Sequence, residues 1–330
     1  MTVPPTIEVL LATYNGARFL REQIESILSQ DYQALCILAA DDGSQDDTPA
    51  ILAEYAERFP KRLRVLGGAA PTGSAKANFL RLMHHASEAY VCFSDQDDVW
   101  LPSKVKLSLE TMQALEQRHS AQTPLLVFTD LRVVDQHLQT LHPSMWALAG
   151  IEPENAKRLQ RLLAQSIVTG CTMMINRPLL ELARQMQPQA TMHDRWIGLL
   201  AASMGATAFV REPQVLYRQH DSNVVGATIR DNSLQGLWRR LTNNDKRLQL
   251  RLAQESQVEA LRRQHWKEMS TVNTVLLDRY LESSRSANSF NRIWMTLRHG
   301  FIRQGLLANL ALLLEPLRNK RESARSKQQP

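Results

Sequence analysis

Short apolar runs alternate with amphipathic segments over the first hundred residues. Residues 7–12 (IEVLLA) resemble a strand buried on both faces, and residues 18–30 repeat apolar side chains at helical spacing. The alternation continues with strands predicted at 34–40, 63–66 and 90–94, and with helices predicted at 48–59, 74–86 and from about Pro102. This order predicts a mostly parallel, Rossmann-like sheet with flanking helices, an α/β fold.

The second half of the chain is mixed and then helical. Between residues 125 and 219 we predict strands at 125–128, 132–134, 172–175 and 214–219, a loop at 137–150, and helices at 154–165, from Pro178 and at 194–204. After residue 229 the strand pattern stops, and residues 233–317 are predicted to be helices rich in Leu and Arg. The sequence therefore predicts a catalytic domain over 1–229 and a helical C-terminal region over 230–330.

Charge separates the same two regions. Residues 1–229 contain 20 Lys and Arg against 24 Asp and Glu, whereas residues 230–330 contain 19 against 9. An acidic body with a basic end indicates two regions that face different partners. Cys36, Cys92 and Cys171 are widely spaced within apolar segments, so we expect buried, reduced thiols in a cytosolic protein.

Polar clusters follow three of the predicted strands: T-Y-N-G at 13–16, D-D-G-S at 41–44 and D-Q-D-D at 95–98. The carboxyl ends of parallel strands meet at one crevice, where ligands bind, so these clusters should converge. Carboxylates on one turn repel each other, and a hard divalent cation relieves that repulsion and also neutralises a diphosphate. The alternatives are a solvated acidic loop at 95–98 and an ordinary Asx turn at 41–44.

Two further candidates lie later in the chain. Asp194 opens a predicted helix, where it could act as a base or simply cap the helix. His220 follows the strand at 214–219, and a lone His is more often a surface or core residue than a ligand.

Taken together, these motifs resemble glycosyltransferase family 2, the inverting enzymes of the GT-A fold. The resemblance covers about residues 6–226 and includes T-G-C at 169–171, H-D-R-W at 193–196 and Y-R-Q-H at 217–220. It implies a GT-A fold, with the helical C-terminal region as an extension, and transfer of a sugar from a nucleotide-diphosphate donor to an acceptor hydroxyl. The broad family more often has Glu-Asp at 193–194, and His-Asp resembles a branch described as rhamnosyltransferases.

The resemblance also implies a role for each matched residue. The nucleotide sugar would be bound by Thr13, Tyr14, Asn15, Asp41, Asp42, Lys76, Asn78, Asp95 and Gln96. Asp97 would ligate Mn²⁺ or Mg²⁺ between the two phosphates, with His220, and in one arrangement Asp95, as additional ligands. Asp194 would be the catalytic base for the acceptor. The acceptor side would be formed by Gly170, Cys171, His193, Arg195 and Trp196.

Absent motifs narrow the function. Processive polysaccharide synthases have a Q-x-x-R-W motif and long apolar spans. This chain has neither, and its nearest string, M-H-D-R-W at 192–196, has Met192 where the motif has Gln. We therefore predict a single addition, from dTDP-rhamnose or a UDP-sugar, to a glycan or lipid-linked acceptor in bacterial surface polysaccharide or lipopolysaccharide assembly. The alternatives are a sugar-nucleotide nucleotidyltransferase, which needs a Gly-rich basic loop, and a non-catalytic nucleotide-sugar-binding protein.

The basic C-terminal region suggests a location. Residues 305–314 (GLLANLALLL) are apolar and are flanked by Arg and Lys residues. We predict that residues 297–330 lie on an anionic membrane surface, the alternative being a helix packed on the catalytic domain. The protein is expected in the cytoplasm, with peripheral attachment to the inner face of the cytoplasmic membrane. No nucleic-acid recognition motif accompanies the charge, so nucleic acid is not an expected partner.

Overall fold

The computed structural model describes residues 4–68, 70–220 and 244–304, together with Asn309. Within this part of the chain, nine strands form one sheet: β1 (Ile7–Thr13), β2 (Leu35–Asp41), β3 (Leu63–Val65), β4 (Tyr90–Ser94), β5 (Val99–Trp100), β6 (Leu125–Val134), β7 (Thr140–His142), β8 (Met174–Asn176) and β9 (Ala206–Arg218). Helices flank the sheet: α1 (Ala17–Leu28), α2 (Thr48–Arg58), α3 (Ala75–His85), α4 (Lys104–His119), α5 (Met145–Ala149), α6 (Leu159–Ala164), α7 (Arg177–Ala183) and α8 (His193–Met204).

The sheet has the order β3-β2-β1-β4-β8-β6-β9-β5, with β7 paired to β6. Strands β3, β2, β1 and β4 pair in parallel, and β6 pairs in parallel with β9. Strand β8 runs against both β4 and β6, so six strands share one direction and β5, β7 and β8 oppose it. The mostly parallel α/β sheet predicted from the sequence is confirmed, and the carboxyl ends of β1, β2 and β4 lie at one edge.

The elements between residues 125 and 219 differ from the sequence prediction. The two strands predicted at 125–128 and 132–134 are one strand, β6, and the strand predicted at 214–219 is the end of β9. The predicted loop contains β7 and α5, and the predicted helix at 154–165 is divided into a 3₁₀ turn (Pro153–Lys157) and α6. Both long strands carry polar residues among apolar ones, which hid their length.

The sheet is covered on both faces, as its nearly continuous apolar strands require. Successive residues of β1 point to opposite faces: Val9 and Leu11 pack with α1, α2 and α4, whereas Leu10 packs with α3, α7 and α8. All three side chains are fully buried. This double burial fixes the ends of the strands, and therefore the loops that follow them.

The C-terminal region consists, in its described part, of α9 (Asn244–His265), α10 (Thr271–Arg285) and α11 (Ser289–His299). Leu261 of α9 and Leu277 of α10 belong to the same apolar cluster as Leu163 of α6, and Phe301 joins them. The helices therefore share a core with the sheet, and the division at 229 and 230 stays a prediction. Residues 305–308 and 310–314 of the apolar run lie outside the described residues. Among the described helices, none combines the length and apolar character that crossing a bilayer requires.

Candidate active site

The loops after β1 and β4 are joined by side-chain to backbone hydrogen bonds. Tyr14 donates its backbone N–H to Gln96 Oε1 at 2.7 Å, and Gln96 Nε2 donates to the carbonyl of Tyr14 at 2.9 Å. A Cβ atom at Gly16 would lie 2.2 Å from Gln96 Oε1, so a larger residue there would displace the Gln96 side chain from this pair. Gln96, a predicted nucleotide-sugar ligand, thus holds two loops together, and the ring of Tyr14 is left 57% exposed at their rim.

The D-D-G-S loop after β2 is tied to the same edge. Asp41 accepts hydrogen bonds from Thr13 Oγ1 at 2.9 Å and from the N–H and hydroxyl of Ser44. Asn15 is bound to this loop through Ser44 Oγ and the N–H of Gln45. The Asx turn considered from the sequence is therefore present. Each carboxylate oxygen can accept more than one hydrogen bond, so Asp41 could also contact a nucleoside. That contact stays a prediction.

Asp42 holds a second loop against the crevice. Its carboxylate accepts the backbone N–H groups of Thr72 and Gly73 and lies 3.9 Å from the guanidinium of Arg81. Asn78 supports this arrangement from below, since its amide donates to the carbonyl of Ala40 and accepts from Arg81. With only 1% of its surface exposed, Asn78 does not face the crevice as the resemblance implied; the helix that carries it turns it toward the end of β2.

Lys76 is also directed away from the carboxylates. Its Nζ donates to the carbonyls of Pro188 at 2.9 Å and Ala190 at 2.7 Å. These carbonyls precede α8, so Lys76 connects α3 to the segment that leads to Asp194. The structure therefore supports a role for Lys76 in placing that segment, and its nucleotide contact stays a prediction.

Four carboxylates gather where β4 ends. Burial, and after it the neighbouring carboxylates of Asp97 and Asp194, raises the pKa of Asp95 to about 7. Burial together with the charges of Asp97 and Asp95 raises the pKa of Asp98 well above its usual range. Oδ2 of Asp98 is buried without a hydrogen-bond partner among the described residues. This accumulation of unneutralised carboxylates is the condition that a divalent cation relieves.

His220 completes this cluster from the opposite side of the crevice. Its Nε2 lies 2.8 Å from Oδ2 of Asp97, and both side chains are only partly exposed. An imidazole nitrogen and a carboxylate oxygen at this separation are ligands that Mn²⁺ accepts. The residues predicted to bind a metal are thus brought together across 123 positions of the chain.

A second set of ligand atoms lies beneath the first. One atom each from Asp95, Asp98 and Cys171 can be chosen so that all lie within 4.8 Å of one another. Sulfur is a poor ligand for a hard cation such as Mg²⁺, and burial raises the pKa of the Cys171 thiol well above its usual value. Asp97 and His220 offer the carboxylate and imidazole ligands that Mn²⁺ accepts, whereas Asp95 groups with Asp98 and Cys171, so its place in the metal site stays a prediction. Cys171 was predicted on the acceptor side, but it lies beside the carboxylates of Asp95 and Asp98.

Asp194 lies in the first turn of α8, which has Met192 as its N-cap. One carboxylate oxygen accepts the N–H of Gly170 at 3.2 Å, and the other accepts the N–H of Arg195 at 2.6 Å. Asp194 is therefore not the helix cap that the sequence left as an alternative. Burial raises its pKa, as suits a base.

The neighbours of Asp194 face inward. His193 packs against both Phe79 and Phe93, with ring centroids 4.0 and 5.4 Å away, and burial lowers its pKa to about 3. Trp196 is fully buried in the core. Gly170 leaves the space that His193 needs, because a Cβ there would lie 2.8 Å from Nε2 of His193. These three residues were predicted on the acceptor side, but helical geometry turns them into the protein, so they shape the wall behind Asp194.

Arg195 also points away from the crevice. Its Nη2 donates to the carbonyls of Leu162 and Leu163 at 3.4 and 3.3 Å, at the end of α6. Arg195 was also predicted on the acceptor side. It instead connects α8 to the C-terminal part of the core and does not reach the acceptor face.

Arg218 supports the acidic loop, a role that the sequence analysis did not assign to it. Its buried guanidinium donates to the carbonyls of Asp97 and Gln136 at 2.8 and 2.7 Å and to the carboxylate of Glu22 at 2.5 Å. Its backbone N–H donates to Asp98. Arg218 thus fixes the acidic loop from the strand that carries His220. The signal was a charged residue at the end of an apolar strand, two positions before His220.

The order of the sheet and the acidic loop at its carboxyl edge define a class of protein, the GT-A glycosyltransferases. The chain belongs to glycosyl transferase family 2, whose family model matches residues 8–182, more than half of its length. The protein is therefore a transferase, and the family predicted from the motifs is confirmed.

Relatives of known sequence agree with this assignment. A dTDP-rhamnosyl transferase of Shigella flexneri, RfbG, is 27% identical over 242 residues, which cover 70% of this chain and 78% of that protein. An uncharacterized glycosyltransferase of Rickettsia typhi is 24% identical over 247 residues, covering 72% of this chain and 71% of that one.

Solved structures are similar in fold. The mannosyltransferase PcManGT of Pyrobaculum calidifontis, in complex with GDP-Man and Mn²⁺, has a TM-score of 0.53 at 16% identity and covers 100% of this chain and 82% of its own. S. aureus TarS 1–349, in complex with UDP-GlcNAc, has a TM-score of 0.51 at 14% identity, with coverages of 98% and 92%. At these identities the similarity concerns the fold, and it confirms the predicted GT-A architecture.

Proposed function

We propose that the protein is a metal-dependent, inverting glycosyltransferase that moves one sugar from a nucleotide-diphosphate donor to an acceptor hydroxyl. The observation that carries the proposal is the convergence of Asp97, His220 and Asp194 on one crevice, from three distant parts of the chain. The residues paired with these side chains, such as Arg218 and Gly170, hold them in place before any ligand binds. Such preorganised electrostatics is a large term in enzyme catalysis.

The chemistry follows from the arrangement. Asp97 and His220, joined in one arrangement by Asp95, would hold Mn²⁺ or Mg²⁺, which would neutralise the charge that develops on the departing diphosphate. Asp194 takes the proton of the acceptor hydroxyl while its oxygen attacks the anomeric carbon from the side opposite the leaving group. The bond to the diphosphate breaks in the same displacement, so the configuration at the anomeric carbon inverts. Because the leaving group is already a good one, no protonated acid is needed.

The donor we propose is dTDP-rhamnose, with a UDP-sugar as the alternative. The 27% identity to a protein named dTDP-rhamnosyl transferase supports the first, as does His193, which resembles the rhamnosyltransferase branch. Thymine and uracil present the same imide edge, and Asp41 and Asp42 lie at the end of β2 where such an edge would be bound. We propose a glycan or lipid-linked acceptor of bacterial surface polysaccharide or lipopolysaccharide assembly.

A donor panel tests this assignment. With Mn²⁺ present, we expect dTDP-rhamnose to raise the melting temperature more than GDP-mannose does, because the tighter ligand stabilises the folded state more. A ligand at ten times its Kd contributes about 1.4 kcal/mol. The control is the same panel in EDTA, in which the differences should disappear. Equal stabilisation by all bases, or stabilisation that survives EDTA, would contradict the proposed donor site.

We further propose that the C-terminal region contacts an anionic membrane surface. Phe290, Trp294 and Leu297 of α11 are 78%, 46% and 56% exposed, and their spacing of four and three residues places them on one face. The opposite face is buried. The guanidinium of Arg298 lies 4.8 Å from the ring of Trp294, so charge and aromatic surface are presented together. This combination is typical of helices that lie in the membrane interface.

Replacing Phe290 and Trp294 together with Ser is expected to lower binding to phosphatidylglycerol vesicles at low salt by at least ~10-fold, since each buried aromatic contributes about 1.5–3 kcal/mol. Co-sedimentation measures the effect. Val272 and Val275 of α10, 76% and 47% exposed, provide the matched control when both are changed to Ser. Point changes are preferable to deleting 297–330, because Phe301 is part of the core. An unchanged vesicle affinity would favour the packed-helix alternative.

A further inference from the structure

A cavity of about 40 Å³ lies between the three C-terminal helices and the end of α6, apart from the crevice of the carboxylates. One water needs ~10–15 Å³, so the cavity has room for a small polyatomic ion. Basic and hydroxyl side chains line it: Arg251, Arg292, Arg303, Ser283, Ser284 and Thr296. The proposed sugar transfer uses none of them.

Arg251 is the residue that makes this cavity unusual. It is 6% exposed, and its Nε, Nη1 and Nη2 atoms are all buried without a hydrogen-bond partner. Among the described residues, Glu255 has the carboxylate within reach, but its Oε1 stands 3.6 Å from Nε, beyond hydrogen-bonding distance. A buried guanidinium that donates no hydrogen bond is strongly unfavourable, so its N–H groups require hydrogen-bond acceptors.

Glu255 does not satisfy that requirement, because it is shared. Its Oε1 accepts the hydroxyl of Ser284 at 2.6 Å, and its Oε2 lies 3.9 Å from Arg285. Among the residues that the structure describes, three arginines line the cavity, and Glu255, the carboxylate beside Arg251, is already engaged. Such a lining favours an anion.

The donors also indicate which anion. Guanidinium groups match the oxygens of a tetrahedral oxyanion in two-pronged hydrogen bonds, and hydroxyls add further donors. Ser283 and Thr296 present such hydroxyls, 3.2 Å apart, on the wall formed by α10 and α11. We propose that this cavity is a binding site for a phosphate-class oxyanion, with Arg251 as its principal ligand.

The site is connected to the catalytic base through α6. The carbonyl of Ala164 accepts Nε of Arg303 at 3.1 Å, and the preceding carbonyls of Leu162 and Leu163 accept Arg195, the neighbour of Asp194. A bound oxyanion would thus stand behind the acceptor side of the crevice. Its phosphate can come from solution or from a lipid headgroup, and these sources share the same chemistry.

Thermal unfolding in EDTA and without nucleotide tests the proposal. Inorganic phosphate, compared with chloride at equal ionic strength, is expected to raise the melting temperature of the full chain by about 2–4 °C near ten times its Kd. Arg251→Met should abolish the shift, whereas Arg263→Gln, an exposed arginine of the same helix, should retain it. Arg251→Lys keeps the charge but loses the planar, two-pronged set of N–H donors, so it should weaken phosphate binding by at least ~10-fold.

The phosphate shift of each variant is measured from its own melting temperature without phosphate. Arg251→Met also removes the ion pair with Glu255, so a lower starting melting temperature is expected and does not count as loss of binding. A phosphate shift absent from the parent protein, or equal in Arg251→Met, would overturn the proposal. Dihexanoyl phosphatidic acid below its micellar concentration identifies the source: a larger shift than that of phosphate indicates a lipid headgroup, and an equal shift indicates the free ion.

Discussion

Replacing Asp194 with Asn is expected to lower kcat by ~10²–10⁴-fold while leaving the donor Kd nearly unchanged. Asn has the size of Asp, and its amide oxygen can accept one of the two backbone N–H groups, that of Gly170 or that of Arg195, but it has no basicity. The donor is expected to be held at the ends of β1, β2 and β4, away from α8. The measurement is steady-state transfer combined with a separate binding assay for the donor.

Stability supplies the control for this variant. Asp194 lies in the first turn of α8, where a negative charge contributes about 0.3–1 kcal/mol, and Met192 occupies the N-cap. Asn should therefore lower the melting temperature only slightly. A rate loss below about tenfold would make Asp194 a structural residue, as would a loss explained by unfolding.

The pH dependence of the parent enzyme provides a second signature of the same residue. Burial raises the pKa of Asp194 above its usual range. A base works only when deprotonated, so kcat should fall as the pH falls through that raised pKa. The residual activity of Asp194→Asn should lack this acidic limb.

Replacing Asp97 with Ala is expected to abolish transfer and to weaken Mn²⁺-dependent binding of the nucleoside diphosphate. We expect a loss of ~10²-fold or more in kcat/KM, because even residues outside the ligand shell of a metal cost ~10–100-fold when changed. Asp97 pairs with His220, and without it the imidazole loses its carboxylate partner across the crevice. Calorimetry of nucleotide binding with and without Mn²⁺ measures the effect.

The matched control for Asp97 is Asp31→Ala, an exposed acid just beyond the C-terminal end of α1. This change should leave both transfer and Mn²⁺-dependent binding at parental values. An Asp97→Ala protein that binds the nucleoside diphosphate with unchanged Mn²⁺ dependence would remove Asp97 from the metal site.

The convergence of the site could be predicted from the sequence because the strands are short, apolar and parallel. Once β1, β2 and β4 were recognised, the positions of Thr13, Asp41 and Asp95 followed from the rule that parallel strands end at one edge. His220 could be included only through the family resemblance. A single histidine after a strand carries no spacing that identifies its partner, and its distance from Asp97 depends on the whole path of β9.

The orientation of side chains within motifs could not be predicted. H-D-R-W places four polar or aromatic residues in a row, but α8 buries His193 and Trp196 and leaves Asp194 at the crevice. Asn78 was assigned to the nucleotide sugar, and Cys171 to the acceptor side, for the same reason. Membership of a motif does not reveal which of its residues contact a ligand and which support the others. Arg218 was missed because its partners, two backbone carbonyls and the carboxylate of Glu22, are distant in the sequence, and spacing alone does not identify them.

Nucleoside diphosphate release from a sugar nucleotide is the measurement that tests the central claim most directly. With acceptor and Mn²⁺ present, the parent protein should release the nucleoside diphosphate and lose this activity in EDTA, and Asp194→Asn should release it ~10²–10⁴-fold more slowly. Release of inorganic pyrophosphate from a nucleoside triphosphate and sugar phosphate would instead indicate a nucleotidyltransferase. Absence of any release, with the sugar nucleotide bound, would indicate a binding protein, and either result would contradict the glycosyltransferase mechanism.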